Sequence, residues 1–190
     1  MADSVLRDKA KEFAKTTVFL CRDMKANHNV IEHYDKLIDE NNDPVYDPEP
    51  LKEYMNKWDG QVFIDAMKLD KHKTVLEIGI GTGRLALKTV PLCKKFFGVD
   101  ISPKAIERAA HNLSQYQNVE LICADFITCD FNTTFDVIYS SLTFMHIQKK
   151  QECIYKIHSL LNRKGYFVLS IDKNQDKLRS DKVYLYFTQL

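Results

Sequence analysis

The sequence predicts an α/β fold in which helices cover both faces of a doubly wound, mostly parallel β-sheet. From Lys73 onward, short runs rich in Val, Ile, Leu, Phe and Tyr alternate with segments whose apolar residues recur at helical spacing. Strands that are buried on both faces have this continuous apolar character. A glycine-rich turn between the first strand and the first helix is the third indication, because doubly wound folds bind ligands at such turns.

Five strands and three helices follow one another in this region. The strands are predicted over residues 74–80, 96–101, 119–124, 135–140 and 166–171. The helices are predicted over residues 83–92, 103–116 and 148–161. Pro103 suits the first turn of its helix, and Ser102 directly before it is the expected N-cap.

Residues 1–70 precede the sheet region and show helical periodicity. The run NNDPVYDPEP, with three prolines and two asparagines, interrupts this pattern. We therefore divide the chain into an N-terminal helical segment, residues 1–70, and a domain over residues 71–190. The helical segment is either a lid over a ligand site or a set of helices that covers one face of the sheet.

Charge and composition disfavour several classes of protein. Lys and Arg number 27 and Asp and Glu number 26, so a net charge of +1 gives no general attraction to nucleic acid or to anionic membranes. No apolar stretch approaches the roughly 18 residues of a membrane span, and the first residues lack the apolar run of a signal peptide. The five cysteines contain no C-x-x-C pair, and the histidines lack metal-binding spacing. We expect a cytoplasmic protein without a metal site.

The most informative motif is VLEIGIGTGRLAL, in which Gly79, Gly81 and Gly83 follow the first strand and open a helix. Glycine permits a tight reversal and lets a ligand approach the backbone closely. The free N–H groups at the start of the helix point towards the same place. The motif therefore predicts a ligand-binding turn, although an isolated glycine cluster can also serve an ordinary tight turn.

Polar residues also lie at the ends of the next three strands. Asp100 ends the second strand, Asp125 follows the third, and Ser140 with Ser141 follows the fourth. Because ligands of open α/β sheets bind beyond the carboxyl ends of the strands, these residues should converge on one crevice. Asp100 follows Gly79 at the interval typical of a ribose-binding acid, with a helix cap as the alternative. Asp125 suits an adenine amino group, with a turn role as the alternative.

Taken in order, these motifs resemble those of the class I S-adenosylmethionine-dependent methyltransferases, over residues 73–172. VLEIGIGTGR is similar to the family's E-x-G-x-G-x-G motif, GVDIS to its ribose motif and CADF to its adenine motif. FDVIYSSLTFMHI is similar to the strand and loop beside the methyl donor, and LLNRKGYFVLSID to the helix, turn and fifth strand. The resemblance implies a Rossmann-like fold, S-adenosyl-L-methionine as cofactor and a small-molecule acceptor.

At the methionine end of the cofactor, the resemblance implies contacts from the glycine turn and from two neighbouring residues. Gly79, Gly81 and Gly83 would line this end of the ligand. Glu77 would contact its ammonium group directly or through water, and Ser140 would offer its backbone carbonyl to the same group.

At the adenosine end, the resemblance implies four further contacts. Asp100 would hold the ribose hydroxyls, and Asp125 would accept a hydrogen bond from the adenine amino group. Ile101 would pack on one face of adenine and Phe126 near the edge of the ring. Core packing is the alternative for Ile101 and Phe126.

His146, in the loop after the fourth strand, is the candidate general base, because imidazole titrates near neutral pH. An orienting hydrogen bond is the alternative role. The loop lacks an Asn-Pro-Pro-Tyr type of sequence, which disfavours planar amide or adenine nitrogens as acceptors. Aromatic residues of the N-terminal segment form either an acceptor wall or core: Tyr34, Tyr46, Tyr54 and Trp58. YDKLI around Tyr34 resembles a segment near the cofactor in some small-molecule members.

Two other functions are compatible with this fold. A nicotinamide-dependent oxidoreductase would carry G-x-G-x-x-G, whereas here the third glycine comes two residues after Gly81 and Arg84 stands where a small residue is required. A non-catalytic, cofactor-binding regulatory subunit is the other alternative.

The end of the sheet departs from the family pattern. The family's sheet normally ends with a sixth strand and an antiparallel seventh, whereas only KVYLYFTQL follows the fifth strand here. We expect the C-terminal strands to be missing, and residues 183–187 to be either an edge strand paired along one side or not a strand. An open edge favours association, so a homodimer is a further expectation.

Overall fold

A computed structural model describes the backbone of residues 18–19, 28–172 and 183–189. Seven strands lie in these ranges: β1 Val18–Phe19, β2 Thr74–Ile78, β3 Lys95–Asp100, β4 Val119–Cys123, β5 Phe135–Ser141, β6 Leu161–Asp172 and β7 Val183–Gln189. Six α-helices accompany them: α1 His28–Asp39, α2 Glu49–Asp59, α3 Gln61–Ala66, α4 Ala86–Thr89, α5 Pro103–Asn112 and α6 Lys150–Leu160. Pro44–Tyr46, Val90–Leu92 and Phe144–His146 form short 3-10 helices.

The predicted elements are present within a few residues of their expected bounds. The helix predicted over 83–92 divides into α4 and the 3-10 helix Val90–Leu92, since Pro91 lacks the N–H that would continue the α-helix. Ser102 caps α5 as expected, because its hydroxyl oxygen accepts a hydrogen bond from the Ala105 N–H at 3.0 Å.

The strands form one sheet in the order β1-β4-β3-β2-β5-β6-β7, and every neighbouring pair is parallel except β6 and β7. The chain adds β3 and β4 on one side of β2 and then β5 and β6 on the other. The carboxyl end of β2 therefore lies at a topological switch point, where doubly wound folds bind ligands. The predicted doubly wound, mostly parallel sheet is confirmed.

Both edges of the sheet differ from what the sequence suggests. Val18 and Phe19, from the segment expected to be helical, pair with Ile122 and Cys123 of β4. β7 runs antiparallel to β6 and, among the described strands, pairs with β6 alone. Residues 183–187 therefore lie in an edge strand, which is one of the two predicted alternatives. The expectation that no antiparallel strand follows β6 is therefore wrong. The run VYLYFTQ forms this strand because it is rich in strand-forming residues. A homodimer stays a prediction.

Two clusters of apolar side chains pack on opposite faces of the sheet. Val75 and Phe96 belong to one cluster and their successors Leu76 and Phe97 to the other, as the alternation of side chains along a strand requires. All four are buried. Burial of a side chain of this size contributes about 1.5–3 kcal/mol, so the two faces together hold the strands in register.

Part of the N-terminal segment belongs to this core. Phe63 of α3 and Met67 just after it are buried in the first cluster, where Phe63 packs edge-to-face against Tyr139 of β5 at 6.1 Å. α3 therefore covers one face of the sheet. In the part of the chain that the structure describes, no helix has the length and apolar character needed to cross a bilayer.

A buried polar group lies among these apolar side chains. Glu77 of β2 is 3% exposed, and the Tyr139 hydroxyl donates a hydrogen bond to its Oε2 at 2.8 Å. The same hydroxyl lies 2.9 Å from the Thr89 hydroxyl. Burial raises the pKa of Glu77 to about 8, although the Tyr139 hydrogen bond and the nearby Arg84 oppose this effect. The carboxyl is therefore largely protonated at neutral pH.

We predict that Glu77→Gln gains stability relative to the native protein as pH rises. The folded-state pKa of Glu77 is about 8, whereas an unfolded glutamate titrates near about 4.3. Its stabilising contribution is therefore complete below the unfolded pKa and is lost as pH rises through the folded pKa. Glutamine stays neutral throughout. The difference in unfolding free energy between the two proteins should therefore grow with pH by a few kcal/mol, on the order of the free energy that corresponds to the pKa shift.

Urea denaturation of both proteins between about pH 5 and about pH 8 measures this difference. Glu107→Gln on the exposed face of α5 is the matched control, and its difference from the native protein should not change with pH. A difference for Glu77→Gln that is equally flat would show that the carboxyl is ionised in the folded state.

Candidate functional site

A cavity of about 400 Å³ lies at the carboxyl ends of β2, β3, β4 and β5. Its volume falls within the range of small-molecule sites. Residues singled out in the sequence line it: Tyr34, Gly79, Gly81, Asp100, Ile101, Asp125, Phe126, Ser141 and His146. The predicted convergence of the strand ends on one crevice is therefore observed for these residues, whereas Glu77, Gly83 and Ser140 lie outside the lining.

The glycine turn forms the floor of the cavity. Gly79 and Gly81 have φ angles of +76° and +56°, in the left-handed region that favours glycine. A Cβ at Gly79 would collide with the Thr143 side chain of the loop after β5, so glycine lets that loop approach the turn. A Cβ at Gly81 would meet nothing within 4 Å and would project into open space. Gly81 thus keeps the backbone accessible from the cavity.

Asp100 connects the glycine turn to the end of β3. Its Oδ2 accepts a hydrogen bond from the Gly81 N–H at 2.8 Å, and its Oδ1 accepts one from the Ser102 N–H at 3.0 Å. Burial raises the pKa of Asp100, and the hydrogen bonds from Ser102 and Gly81 act in the opposite direction. A carboxylate oxygen has two lone-pair sites, so each can accept a second hydrogen bond from a ligand.

The wall after β4 combines apolar and polar groups. Phe126 is 5% exposed and packs in the second core cluster while it borders the cavity, so it belongs to the core, and its contact with adenine stays a prediction. Asp125 accepts a hydrogen bond from the Ile127 N–H at 2.8 Å, which is the turn role considered from the sequence, and it also borders the cavity. Ile101 is half-buried beside them.

Lys156 of α6 is a contributor that the motifs do not reveal. Its ammonium donates hydrogen bonds to the carbonyls of Ile127, at 2.9 Å, and Cys129. It also lies 5.5 Å from the centre of the Phe126 ring. Burial lowers the pKa of Lys156, and the surrounding acidic groups oppose this effect. The lysine therefore fixes the loop that carries the wall after β4. No sequence motif marks this role, because the lysine does not line the cavity itself.

His146 meets Tyr34 of α1 at the edge of the cavity. The Tyr34 hydroxyl lies 2.8 Å from His146 Nε2, and the rings meet edge-to-face with centroids 5.5 Å apart. Burial, and then the nearby His33, lower the pKa of His146. Burial, and then the Asp100 charge, raise the pKa of Tyr34. Both shifts favour a neutral imidazole beside a neutral phenol.

Acidic residues of the N-terminal segment attach it to the cavity rim. Asp35 of α1 accepts a hydrogen bond from the Ser102 hydroxyl at 2.5 Å. Asp43 accepts one from Asn112 at 3.1 Å, and Asn112 in turn donates to the Thr82 carbonyl of the glycine turn at 2.9 Å. α1 therefore borders the cavity through Val30 and Tyr34, while α3 covers one face of the sheet, and the lid role stays a prediction.

Three predicted residues point away from the cavity. Glu77 faces Tyr139 in the core, and Gly83 packs against Leu113 at the end of α5. The Ser140 hydroxyl donates to the Ile78 carbonyl at 2.9 Å, and the residue is fully buried. Because side chains alternate along β5, the next residue, Ser141, lines the cavity, and the role predicted for the Ser140 backbone carbonyl stays a prediction.

No group of three or more potential metal ligands that could hold an ion was found among the described residues.

Comparison with known proteins identifies the family. Residues 69–185 match a family model described as a methyltransferase domain. An uncharacterized methyltransferase of Anoxybacillus flavithermus is 30% identical over 123 residues, which cover 63% of this chain and 57% of the relative. A malonyl-[acyl-carrier protein] O-methyltransferase of Priestia megaterium is 35% identical over 101 residues, which cover 50% of this chain and 35% of the relative. The chain spans 40–57% of the length of the first relatives it matches.

Solved structures share the fold. The N-methyltransferase NodS of Bradyrhizobium japonicum in complex with S-adenosyl-L-homocysteine matches with a TM-score of 0.57 at 20% identity, over 72% of this chain and 71% of that one. Phosphoethanolamine N-methyltransferase 1 of Haemonchus contortus matches with a TM-score of 0.63 at 16% identity, over 78% of this chain and 33% of that one. Since the family model matches more than half of the sequence, the chain belongs to the methyltransferase-domain family, the class I S-adenosylmethionine-dependent enzymes that its motifs resemble.

Proposed function

We propose that the chain binds S-adenosyl-L-methionine in this cavity and transfers its methyl group to a small molecule. The observation that supports this proposal best is the convergence of the glycine turn, Asp100 and the wall after β4 on one cavity. These groups fit the cofactor. Gly81 presents open backbone, the Asp100 carboxylate can accept from ribose hydroxyls, and Ile101 with Phe126 offers apolar surface to adenine.

The residues of the chain would act chiefly by holding and orienting the reactants. When bound, S-adenosyl-L-methionine would supply an electrophilic methyl group. The glycine turn and Asp100 would fix the cofactor at one side of the cavity, while α1 would restrict the approach of the acceptor from the other. Orientation of this kind supplies much of the acceleration for an in-line displacement, with an approach distance of about 3–3.5 Å.

His146 and Tyr34 would handle the proton of an acidic acceptor. Because His146 is held neutral, its Nε2 can accept the proton of the Tyr34 hydroxyl, which lies 2.8 Å away. A hydroxyl or amine bound against Tyr34 would give its proton to the phenol oxygen as the phenol proton passes to His146. His146 would thus act as a general base through Tyr34, which refines its expected direct role.

A small molecule is the acceptor class that the chain favours. Its net charge of +1 gives no general attraction to a phosphate backbone. The cavity is only about 400 Å³, and Val30 and Tyr34 of α1 form part of its wall. An acceptor must therefore fit beside the cofactor under this helix. That some relatives are named malonyl-[acyl-carrier protein] O-methyltransferases concerns those proteins.

Calorimetry tests cofactor binding. S-Adenosylmethionine and S-adenosylhomocysteine should bind and raise the melting temperature, whereas NADH should do neither.

Asp100→Ala should weaken binding without unfolding the protein, because it removes charge-assisted hydrogen bonds to ribose. Gly81→Val should abolish binding, because a β-branched residue is strained at φ +56° and fills the cavity side of the turn. Asp130→Ala, at an exposed site outside the cavity lining, is the control and should bind normally. Binding of NADH alone would contradict the proposal.

Incubation with methyl-labelled cofactor and a metabolite extract tests the acceptor class. We expect label in a small molecule and a loss of about 10²–10⁴-fold in His146→Gln, with unchanged affinity for S-adenosylhomocysteine. Because burial lowers the pKa of His146, activity should fall only when the pH drops below the pKa of an ordinary histidine. His111→Gln, exposed on α5, should match the native protein.

Label found only in nucleic acid or protein would refute a small-molecule acceptor. Absence of label with every acceptor, in a protein that binds the cofactor, would indicate the non-catalytic subunit.

A further inference from the structure

A buried ion pair joins Asp59 at the end of α2, outside the family motifs, to Arg84 of the glycine turn. Asp59, the last residue of α2, is fully buried. The Arg84 guanidinium, one residue after Gly83, donates to its Oδ2. The Ser141 hydroxyl donates to the same oxygen at 2.7 Å. Asp59 thereby bridges the first helix after β2 and the end of β5.

The second carboxylate oxygen of Asp59, Oδ1, differs from Oδ2 in its hydrogen bonding. Oδ1 is buried and has no hydrogen-bond partner within the described ranges 28–172. Nearly all buried polar atoms in folded proteins are paired. The Arg84 guanidinium balances the charge of this carboxylate, so what Oδ1 leaves unused is its capacity to accept a hydrogen bond.

The ion pair lies directly behind one wall of the cavity. Ser141 and Gly79 line that wall, whereas Asp59 is one hydrogen bond behind it. This is the glycine-turn side, where the proposed function places the methionine end of the cofactor. Glu77, the other acid near this end, faces Tyr139 in the core. Asp59 is therefore, besides Asp100 of the cavity lining, a second carboxylate close to the glycine-turn side of the cavity.

The hydrogen bond to Asp59 fixes the polarity of the Ser141 hydroxyl. An acid oxygen such as Oδ2 only accepts when ionised, so the single proton of Ser141 points to Asp59. The lone pairs of the hydroxyl oxygen are then left to face other partners. Ser141 lines the cavity, and a hydroxyl whose proton is held by Asp59 is suited to accept from an N–H donor such as an ammonium group.

We propose that Asp59 is a positioning residue for the methionine end of the cofactor. It turns the Ser141 hydroxyl into an acceptor for the ligand's ammonium group and anchors Arg84 beside the glycine turn. The proposal rests on the proposed function, because it takes the ligand to be S-adenosylmethionine. The competing role is purely structural, as a clamp that holds α2 on the sheet alongside the hydrogen bond from the Ser170 hydroxyl to the Trp58 carbonyl at 2.8 Å.

Two ligands separate these roles. S-Adenosylhomocysteine carries the amino-acid group, whereas 5′-methylthioadenosine shares the adenine, ribose and sulfur but lacks it. In calorimetry on the full chain, Asp59→Asn should weaken S-adenosylhomocysteine by roughly 10- to 100-fold, as expected for a lost charge-assisted hydrogen bond. Its affinity for methylthioadenosine should change by no more than about twofold on the same scale. Ser141→Ala, which leaves Asp59 and Arg84 paired, should show the same selective loss.

Asp65→Asn is the matched control. Asp65 is an acid of the N-terminal segment that is exposed on α3 and lies outside the cavity lining. This variant should leave the affinity for both ligands unchanged. Circular dichroism verifies that each variant is folded. If Asp59→Asn does not fold, the affinities of Ser141→Ala for the two ligands decide between the roles.

Equal losses for both ligands, or no loss in Asp59→Asn and Ser141→Ala, would overturn the proposal while cofactor binding by the native chain stands. If the native chain bound neither ligand, the proposed function would fail, and this proposal with it.

Discussion

Two hydrogen bonds to the Asp100 carboxylate hold the site together. One comes from the Gly81 N–H in the turn after β2, and the other from the Ser102 N–H at the start of α5. They fix the first two strand-to-helix turns of the sheet relative to each other. Gly81 donates this bond in a left-handed conformation, and the position that a Cβ would occupy stays open. A half-buried acid is tolerated here because backbone donors compensate for its lost hydration.

The N-terminal segment is attached to the same framework. Asp35 bonds to Ser102, Asp43 reaches the glycine turn through Asn112, and Asp59 bonds to Arg84 and Ser141. Each acid contacts a residue next to the turn or strand end that forms the cavity. The segment is thus part of the site in structural terms, and the division of the chain at residue 70 remains a prediction about folding units.

The sheet region could be predicted because its signals are local. Continuous apolar runs mark β2 to β6, and Ser102 followed by Pro103 marks the start of α5. The residues at the strand ends could also be placed, since the carboxyl ends of parallel strands meet at one edge.

The orientation of individual side chains could not be read from the motifs. Glu77 shares a face of β2 with Val75, so it points into the core together with Tyr139. The same alternation buries the Ser140 side chain, while Ser141 lines the cavity. The acids of the N-terminal segment were missed for another reason. Their partners lie as far as 82 residues away along the chain, and no periodic pattern encodes such pairs.

The central claim is that one ligand site is formed jointly by the strand ends and the N-terminal segment. Amide hydrogen exchange with and without S-adenosylhomocysteine tests it most directly. The ligand should slow exchange in residues 79–83 and 100–102 and, because α1 borders the cavity, in His28–Asp39 as well. Protection that is absent from the glycine turn, or that leaves α1 unchanged, would contradict a shared site.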